Sequence, residues 1–518
     1  MTCDYVVVGA GSAGAPIAAR LSEDPGVAVV LLEAGPDYAS RADMPPDLLD
    51  SRNVAGMQHD WNYVANAVAG RTIPYRRGKV IGGSSAVNQA AAQRGRPADF
   101  DAWVRRGNPQ WAWDRVLPYF KKLESDAIGG ESHGTSGPIT ITRYEDDELV
   151  PVQRAFYDAC RAAGFEDVRD HNAVQGSGVG PWPLNREGIT RISTALGYLA
   201  AARGRPNLAI RPGSLVDKIL FDGSRAVGVK LAGGEVVSAK NVVLSAGAVG
   251  SPAILLRSGI GPAQDLCDLE IEVLVDSPGV GAQLWDHAAV PIRLVPKEGQ
   301  CVPGRDPRFQ VMARFTAEGS REPDDMQLVM VTFADISGSP ALLSDAGVPI
   351  VAAVGVALMV PRAHGYLRLA SIDPGIQPAI ELNYGADPED VRRLLLAMRL
   401  AWKVVCSEPI KRETVRVVGL SEEVIRSDDL LHGYVFANVG TYGHALGTAR
   451  MGSDGDPGAV VDQYCRVRGV KNLWVVDASV MPTVPRAVPN LTVIMLGERV
   501  AAWLRRSDPA MNQEPLQH

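Results

Sequence analysis

The chain has 518 residues, 46% hydrophobic and 21% charged, an ordinary globular composition that excludes a disordered or fibrous protein. Its formal net charge of −7, with acidic and basic residues interspersed, excludes nucleic acid as the main partner, because phosphate binding needs a basic face. At this length two or more domains are expected, since single cores stop growing at about 250–300 residues.

In chain order, Asp4 to Val8 is a short apolar run that reads as a buried strand. Gly9-Ala10-Gly11-Ser12-Ala13-Gly14 follows, then a helical pattern with Ile17, Ala18 and Leu21 on one face. Val27 to Leu32 reads as a second buried strand, ending at Glu33. Strand, Gly-rich turn, helix and strand open a βαβ unit. Residues 37–75 are rich in Asp, Pro and Asn and read as irregular, whereas 100–124 read as helical. Residues 205–250 are strand-rich, and about 290 to 385 alternates strands with loops and many prolines. Val391, Leu394, Leu395, Met398, Ala401 and Val405 mark an amphipathic helix from Asp387. Leu473 to Val476 reads as a strand and Asn490 to Leu504 as a closing helix.

Six cysteines lie scattered without a CxxC pair, which suggests free thiols in a reducing compartment. Eight histidines form no HxH or HExxH pattern, so no metal is expected. No apolar run approaches the roughly 20 residues that span a bilayer. The N-terminus carries no charged leader with an apolar core, and the terminal Glu-Pro-Leu-Gln-His matches no address signal. A soluble, cytoplasmic protein is the expectation.

Gly9, Gly11 and Gly14 form a GxGxxG between a strand and a helix. The first glycine permits the tight turn, the second lets backbone approach a pyrophosphate, and the third lets helix and strand pack closely. The helix N-terminus offers unpaired N–H groups to phosphate. Glu33, about twenty residues on, can accept hydrogen bonds from ribose hydroxyls. A plain Gly-rich turn explains one glycine but not three plus Glu33. The acid also favours FAD or NAD over NADP.

Two further stretches separate these cofactors: GKVIGGSSAVNQAAAQRGRPADFD at 78–101 and GAVGSPAILLRSGIG at 247–261. Both resemble the signature motifs of the glucose-methanol-choline (GMC) oxidoreductase family, and family-like segments run from about residue 4 to 504. The resemblance implies an α/β fold with a Rossmann-like FAD-binding domain from 1–147, 190–286 and 440–508. It implies a substrate-binding domain from 148–189 and 287–439, on an antiparallel sheet with flanking helices. FAD is the implied cofactor. Gly82 and Gly83 would let backbone lie against the flat ring, and Ser84, Ser85 and Asn88 would bond its polar edge. Val216 would contact the adenine and Asp477 the ribityl chain or pyrophosphate. Some members tether FAD through a histidine where this chain has Val87, so non-covalent FAD is expected.

The stretches GTYGHALGTARMG at 440–452 and VPRAVPNLTVIML at 484–496 supply the implied catalytic pair, His444 and Asn490. A base with a pKa near neutral suits removal of a hydroxyl proton. Asn490 would donate to the alcohol oxygen, with hydride passing to flavin N5. Asn490 precedes an apolar helix, so N–H groups at Leu491 and Thr492 would face the charge on the reduced ring. His287 is the rival histidine and reads as structural or flavin-adjacent. His59, His133, His171, His364 and His432 read as surface or packing residues. Gly443 stands where a large aromatic is common, which leaves room for an aromatic, furanic or longer aliphatic primary alcohol, with choline one candidate. The acceptor is O2 or a quinone or protein carrier, and a homodimer is left open. The alternative is a non-dehydrogenating enzyme, either hydroxynitrile-lyase-like or photodecarboxylase-like. Such lyases tend to pair two histidines, where this chain has Asn490.

Overall fold

The computed structural model describes residues 2–506. The outermost domain limits, residues 1 and 507–508, and the terminal Glu-Pro-Leu-Gln-His lie outside the described residues.

The Val-rich run Cys3–Val8 forms the centre of a mixed sheet. Its parallel part runs in the order Leu208–Arg211, Val29–Leu32, Cys3–Val8, Val236–Leu244, Leu473–Val475. Parallel strands are covered on both faces, which is why these runs are continuously apolar rather than alternating. Val6, Val7, Leu31, Leu32, Val242, Val243 and Leu244 are all fully buried. Each contributes about 1.5–3 kcal/mol of burial free energy. The strand Val236–Leu244 serves two partners. Its C-terminal half pairs with Cys3–Val8, while Val236 to Ser238 pairs antiparallel with Arg225–Leu231, which in turn pairs with Val216–Asp222.

A second sheet is antiparallel, in the order Thr414–Val418, Ala288–Pro296, Ile350–Leu358, Met326–Asp335, Val311–Phe315, Gly178–Pro181. The short strand Gly440–Thr441 adds to Ala288–Pro296. The amphipathic helix Pro388–Val405 packs on Ile350–Leu358. Its N-cap, Asp387, accepts from the N–H groups of Glu389 and Asp390. The fold is therefore the Rossmann-like layer plus antiparallel-sheet layer expected.

Two local expectations need correction. Residues 37–75 are not all irregular: Tyr63–Val68 and Arg71–Tyr75 form a hairpin that joins Ala379–Glu381 and Tyr366–Arg368 in a four-stranded sheet. The region 100–124 is two helices, Pro97–Arg105 and Trp113–Leu123, with a 3-10 turn between them. Arg106 and Gly107, the latter at φ +85°, end the first.

Candidate active site

A cleft of about 940 Å³ lies between the two layers. That is the upper end of the usual range for ligand sites, about 300–1,000 Å³. Three helix N-termini reach it: the turn before Gly14–Leu21, the start of Gly247–Arg257, and Asn490 at the head of Asn490–Arg506. Each brings a positive dipole end, so this wall suits phosphate and the polar edge of a ring. The turn at Gly9 needs glycine on two counts. Its φ is +95°, and a Cβ there would stand 2.4 Å from the Ser245 carbonyl oxygen. Gly83 packs so closely on Gly11 that a Cβ would fall 2.7 Å from the Gly11 Cα.

Glu33 lies on this wall. The N–H groups of Ala10 and Gly35 donate to its carboxylate at 3.0 and 2.9 Å. Burial outweighs those donors and pushes its pKa up to about 7. Asp477 also lines the cleft, where Gly247 N–H donates to it at 2.9 Å and the Ser251 and Ser479 hydroxyls donate at 2.5 Å each. Burial raises its pKa against those bonds. Two buried acids, both already oriented, with helix ends beside them match the ribose and diphosphate parts of a dinucleotide.

The other end of the cleft carries His444, Asn490 and Tyr442. Backbone holds His444 in place: its N–H donates to Asp286 Oδ1 at 2.8 Å, and Tyr384 donates to Asp286 Oδ2 at 3.0 Å. The imidazole meets a second one, with Nδ1 of His444 2.7 Å from Nδ1 of His287. His287 is fully buried, and its Nε2 lies 3.1 Å from the Pro485 carbonyl oxygen. A carbonyl only accepts, so the His287 proton sits on Nε2 and its Nδ1 accepts. His444 must then donate from Nδ1, which leaves the Nε2 lone pair free. Burial lowers the His287 pKa to about 4. Burial, then His287, then Arg77 hold His444 well below its ordinary value, so both rings are neutral at pH 7. Asn490 is fixed in the complementary sense. Ser12 donates to its Oδ1 at 2.8 Å, and its Nδ2 has no partner among the described residues.

Models of the GMC oxidoreductase family match residues 3–289 and 361–497. The chain belongs to the GMC oxidoreductase family. As a member it is an FAD-dependent oxidoreductase that acts on alcohol-type donors. An uncharacterized GMC-type oxidoreductase of Rhodococcus erythropolis is 39% identical over 510 residues, 97% of this chain and 98% of its own. The 5-(hydroxymethyl)furfural oxidase of Methylovorus sp. strain MP688 is 36% identical, over 96% of this chain and 98% of its own. In fold, the chain is similar to pyridoxine 4-oxidase from Mesorbium loti, with a TM-score of 0.89 at 31% identity, covering 97% and 99%.

In this GMC oxidoreductase, Gly9, Gly11, Glu33, Gly83, Ser84, Asn88, Val216, Asp477, His444 and Asn490 all line one cleft. Val87 lines it too, beside Asn88, and offers no nucleophile for a covalent tether. Ser85, Gly14, Gly82 and Thr492, all expected at the site, lie behind the wall, and the buried Ser85 hydroxyl donates to Gly82 O at 2.6 Å instead of facing the cleft. Gly14 is a packing glycine, since a Cβ there would be 1.9 Å from the Gly9 carbonyl oxygen. Gly82 holds the turn at φ +98°, its N–H donating to Ala10 O at 2.8 Å. Thr492 is fully buried one step inside the helix, its hydroxyl unpaired. At Gly443 the space is open: a Cβ would meet only Arg77 Nη1, at 4.0 Å.

Ser12, Arg77 and Trp182 also line the cleft and were not named as site residues from the sequence, nor was the contact of His287 with His444. Ser12 sits inside the GxGxxG and was the one visible signal among them. Of the histidines read as surface or packing residues, His59, His133 and His171 are buried packing residues. His133 forms, with Glu124 and Asp126, the one grouping of metal-ligand type among the described residues. Arg94 pairs with Glu124 and Arg143 with Asp126 and Asp170, so guanidinium groups already supply the counter-charge.

Proposed function

We propose that this enzyme oxidises a primary alcohol to the aldehyde, with His444 Nε2 taking the hydroxyl proton and Asn490 Nδ2 donating to the same oxygen. The observation that carries the reading is the proton bookkeeping around His444: Pro485 fixes His287, His287 fixes His444, and Ser12 fixes Asn490. One acceptor atom and one donor atom are thereby left unused at one end of one cleft. A base and an oxyanion donor are the two functions an alcohol needs as it loses hydride. Once His444 is protonated, its Nδ1–H···Nδ1 bond to neutral His287 becomes charge-assisted and stronger. Arg77, near His444, opposes a lasting positive charge there. FAD, held non-covalently along Gly9, Gly11, Glu33, Gly83, Asn88, Val216 and Asp477, supplies the hydride acceptor when bound.

The sheets support the division into an FAD domain (1–147, 190–286, 440–508) and a substrate domain (148–189, 287–439). Every strand of the mixed sheet comes from the former, and every strand of the antiparallel sheet except Gly440–Thr441 from the latter. We assign O2 as the electron acceptor, supported by the relatives named as oxidases. A cytoplasmic location fits six cysteines that are all unpaired. No helix among the described residues is long and apolar enough to cross a membrane.

Anaerobic stopped-flow mixing of the holoenzyme with a panel of primary alcohols tests the reaction. At least one alcohol should bleach the flavin band, and His444→Ala should slow bleaching by about 10²–10⁴-fold while keeping its flavin. A flavin that stays oxidised throughout would overturn the reading. For the acceptor, reduced enzyme mixed with air should reoxidise within about a second, in step with ordinary turnover of roughly 1–10³ s⁻¹. Reoxidation over minutes would point to a carrier instead.

A further inference from the structure

Beside His444 the cleft opens into a chamber walled by Ala91, Trp182, Tyr442 and Val488. The wall is mostly apolar, because Ala91, Trp182 and Val488 belong to a buried cluster against which Tyr442 packs. The Tyr442 ring stands edge-on to the His444 ring, with centroids 4.9 Å apart, so the chamber adjoins the base. Two donors remain unused in this wall. The Trp182 indole is 1% exposed and its Nε1–H has no partner among the described residues, and the shielded Tyr442 hydroxyl has none there either. A shielded donor without a partner costs about 1–3 kcal/mol, which a ligand oxygen or nitrogen would recover.

Charge narrows the ligand further. Among the described residues, the acids that line the cleft are Glu33 and Asp477, and both are engaged by donors on the dinucleotide side. No carboxylate among the described residues lines the chamber. Arg77 does line the cleft, its Nη1 donating to Gly443 O at 3.2 Å, and its guanidinium has no carboxylate partner among the described residues. A cationic substrate head would meet two aromatic rings, a guanidinium and no counter-charge. Burying it there is costly, even with some cation–π attraction.

Resting on the alcohol-oxidising reading of His444 and Asn490, we propose that the chamber selects primary alcohols that carry a second, uncharged hydrogen-bond acceptor. This is a ring nitrogen or a carbonyl or ether oxygen set away from the carbinol carbon, and Trp182 and Tyr442 are the donors that read it. A quaternary ammonium alcohol is disfavoured.

The test uses matched pairs on the holoenzyme: 3- and 4-acetylbenzyl alcohol against their isopropenyl counterparts, which replace C=O by C=CH2 at nearly the same shape. The readout is the ratio of kcat/KM for keto over alkene in wild type, Trp182→Phe and Tyr442→Phe. Taking the ratio between enzymes cancels the electronic effect of the acetyl group. The keto member should be preferred by wild type, and the ratio should fall about fivefold in each variant, as for loss of one neutral hydrogen bond. Choline should be the poorest alcohol tested. Tyr442→Phe removes an oxygen that bonds nothing in the protein, so that variant folds, and retained flavin absorbance checks Trp182→Phe. An unchanged ratio in both variants, or choline outcompeting the keto alcohols, would overturn the proposal. Failure of every alcohol to bleach the wild-type flavin would instead overturn the reading beneath it.

Discussion

In the proposed reaction His444 serves as base only while neutral, and burial, His287 and Arg77 hold it well below its ordinary pKa. A depressed histidine pKa places the loss of activity on the acid side. We therefore expect kcat/KM to stay level from pH 8 down through 6.5 and to fall only in more acidic solution. A steady-state pH profile checks this, and a midpoint at or above 6.5 contradicts it. His287→Ala removes the acceptor that selects the His444 tautomer, and should lower the rate of flavin reduction about 10–100-fold without loss of flavin. Supporting groups behind a reactive histidine typically have effects of that size. Ser12→Ala frees the Asn490 amide to rotate and should slow reduction about 3–10-fold, the worth of one neutral hydrogen bond. That His444 and Asn490 share one cleft was legible because both lie in motif-like stretches. His287 was only half legible, since its role depends on Pro485 and on a contact across 157 residues. Ser12 bonds a residue 478 positions away, a relation that no local pattern carries.

Strand runs and the GxGxxG turn were legible at the scale of elements, because their apolar periods and glycines answer to local physics. The closing helix shows the same logic: its Gly497 lets it lie on the first helix, where a Cβ would fall 2.8 Å from the Ala13 carbonyl oxygen. The hairpin at 63–75 was missed because its second strand contains Pro74 and its sheet is completed by strands some 300 residues later. Pro is poorly tolerated in strands with two neighbours but permitted at an edge, and Arg71–Tyr75 is the edge here. Gly14→Ala would put a methyl 1.9 Å from the Gly9 carbonyl oxygen in the turn that holds the diphosphate wall. Backbone must shift to admit it. Its thermal midpoint should drop by several degrees, as for a loss of about 1–3 kcal/mol from overpacking, and flavin should wash out on gel filtration. A variant as stable and as yellow as wild type would contradict the packing role.

The whole molecule is held together by buried charge as well as by apolar layers, and none of this was visible in a composition count. Glu498, fully buried in the closing helix, pairs with Arg20 and Lys122 at 2.7 Å each and so ties three segments together. His133 sits among Glu124, Asp126 and Asp170 at 2.9–3.2 Å. Burial alone would lower its pKa, but the hydrogen bonds to Asp126, Asp170 and Glu124 hold it up to about 10, from 6.5. Its contribution is thus complete below pH 6.5 and lost as pH rises towards 10. Asp126 resists burial through His133 and Arg143 and falls from 3.8 to about 2, so its contribution is complete above pH 3.8 and lost in acid. The cluster is fully stabilising between these limits. His133→Gln should lower stability by about 3–5 kcal/mol there, the usual cost of breaking a buried ion pair. The gap between wild type and variant in thermal melts should close as pH approaches 10, and a gap independent of pH would contradict the ionic account.

In the proposed complex one alcohol oxygen is met by Nε2 of His444 and Nδ2 of Asn490 beside the stretch Gly82 to Asn88. A crystal structure of the holoenzyme with a non-reacting alcohol analogue measures this directly. It should show the flavin ring along that stretch and the analogue's hydroxyl within about 3.2 Å of both nitrogens. A hydroxyl bound to neither, or a flavin ring outside this cleft, would contradict it.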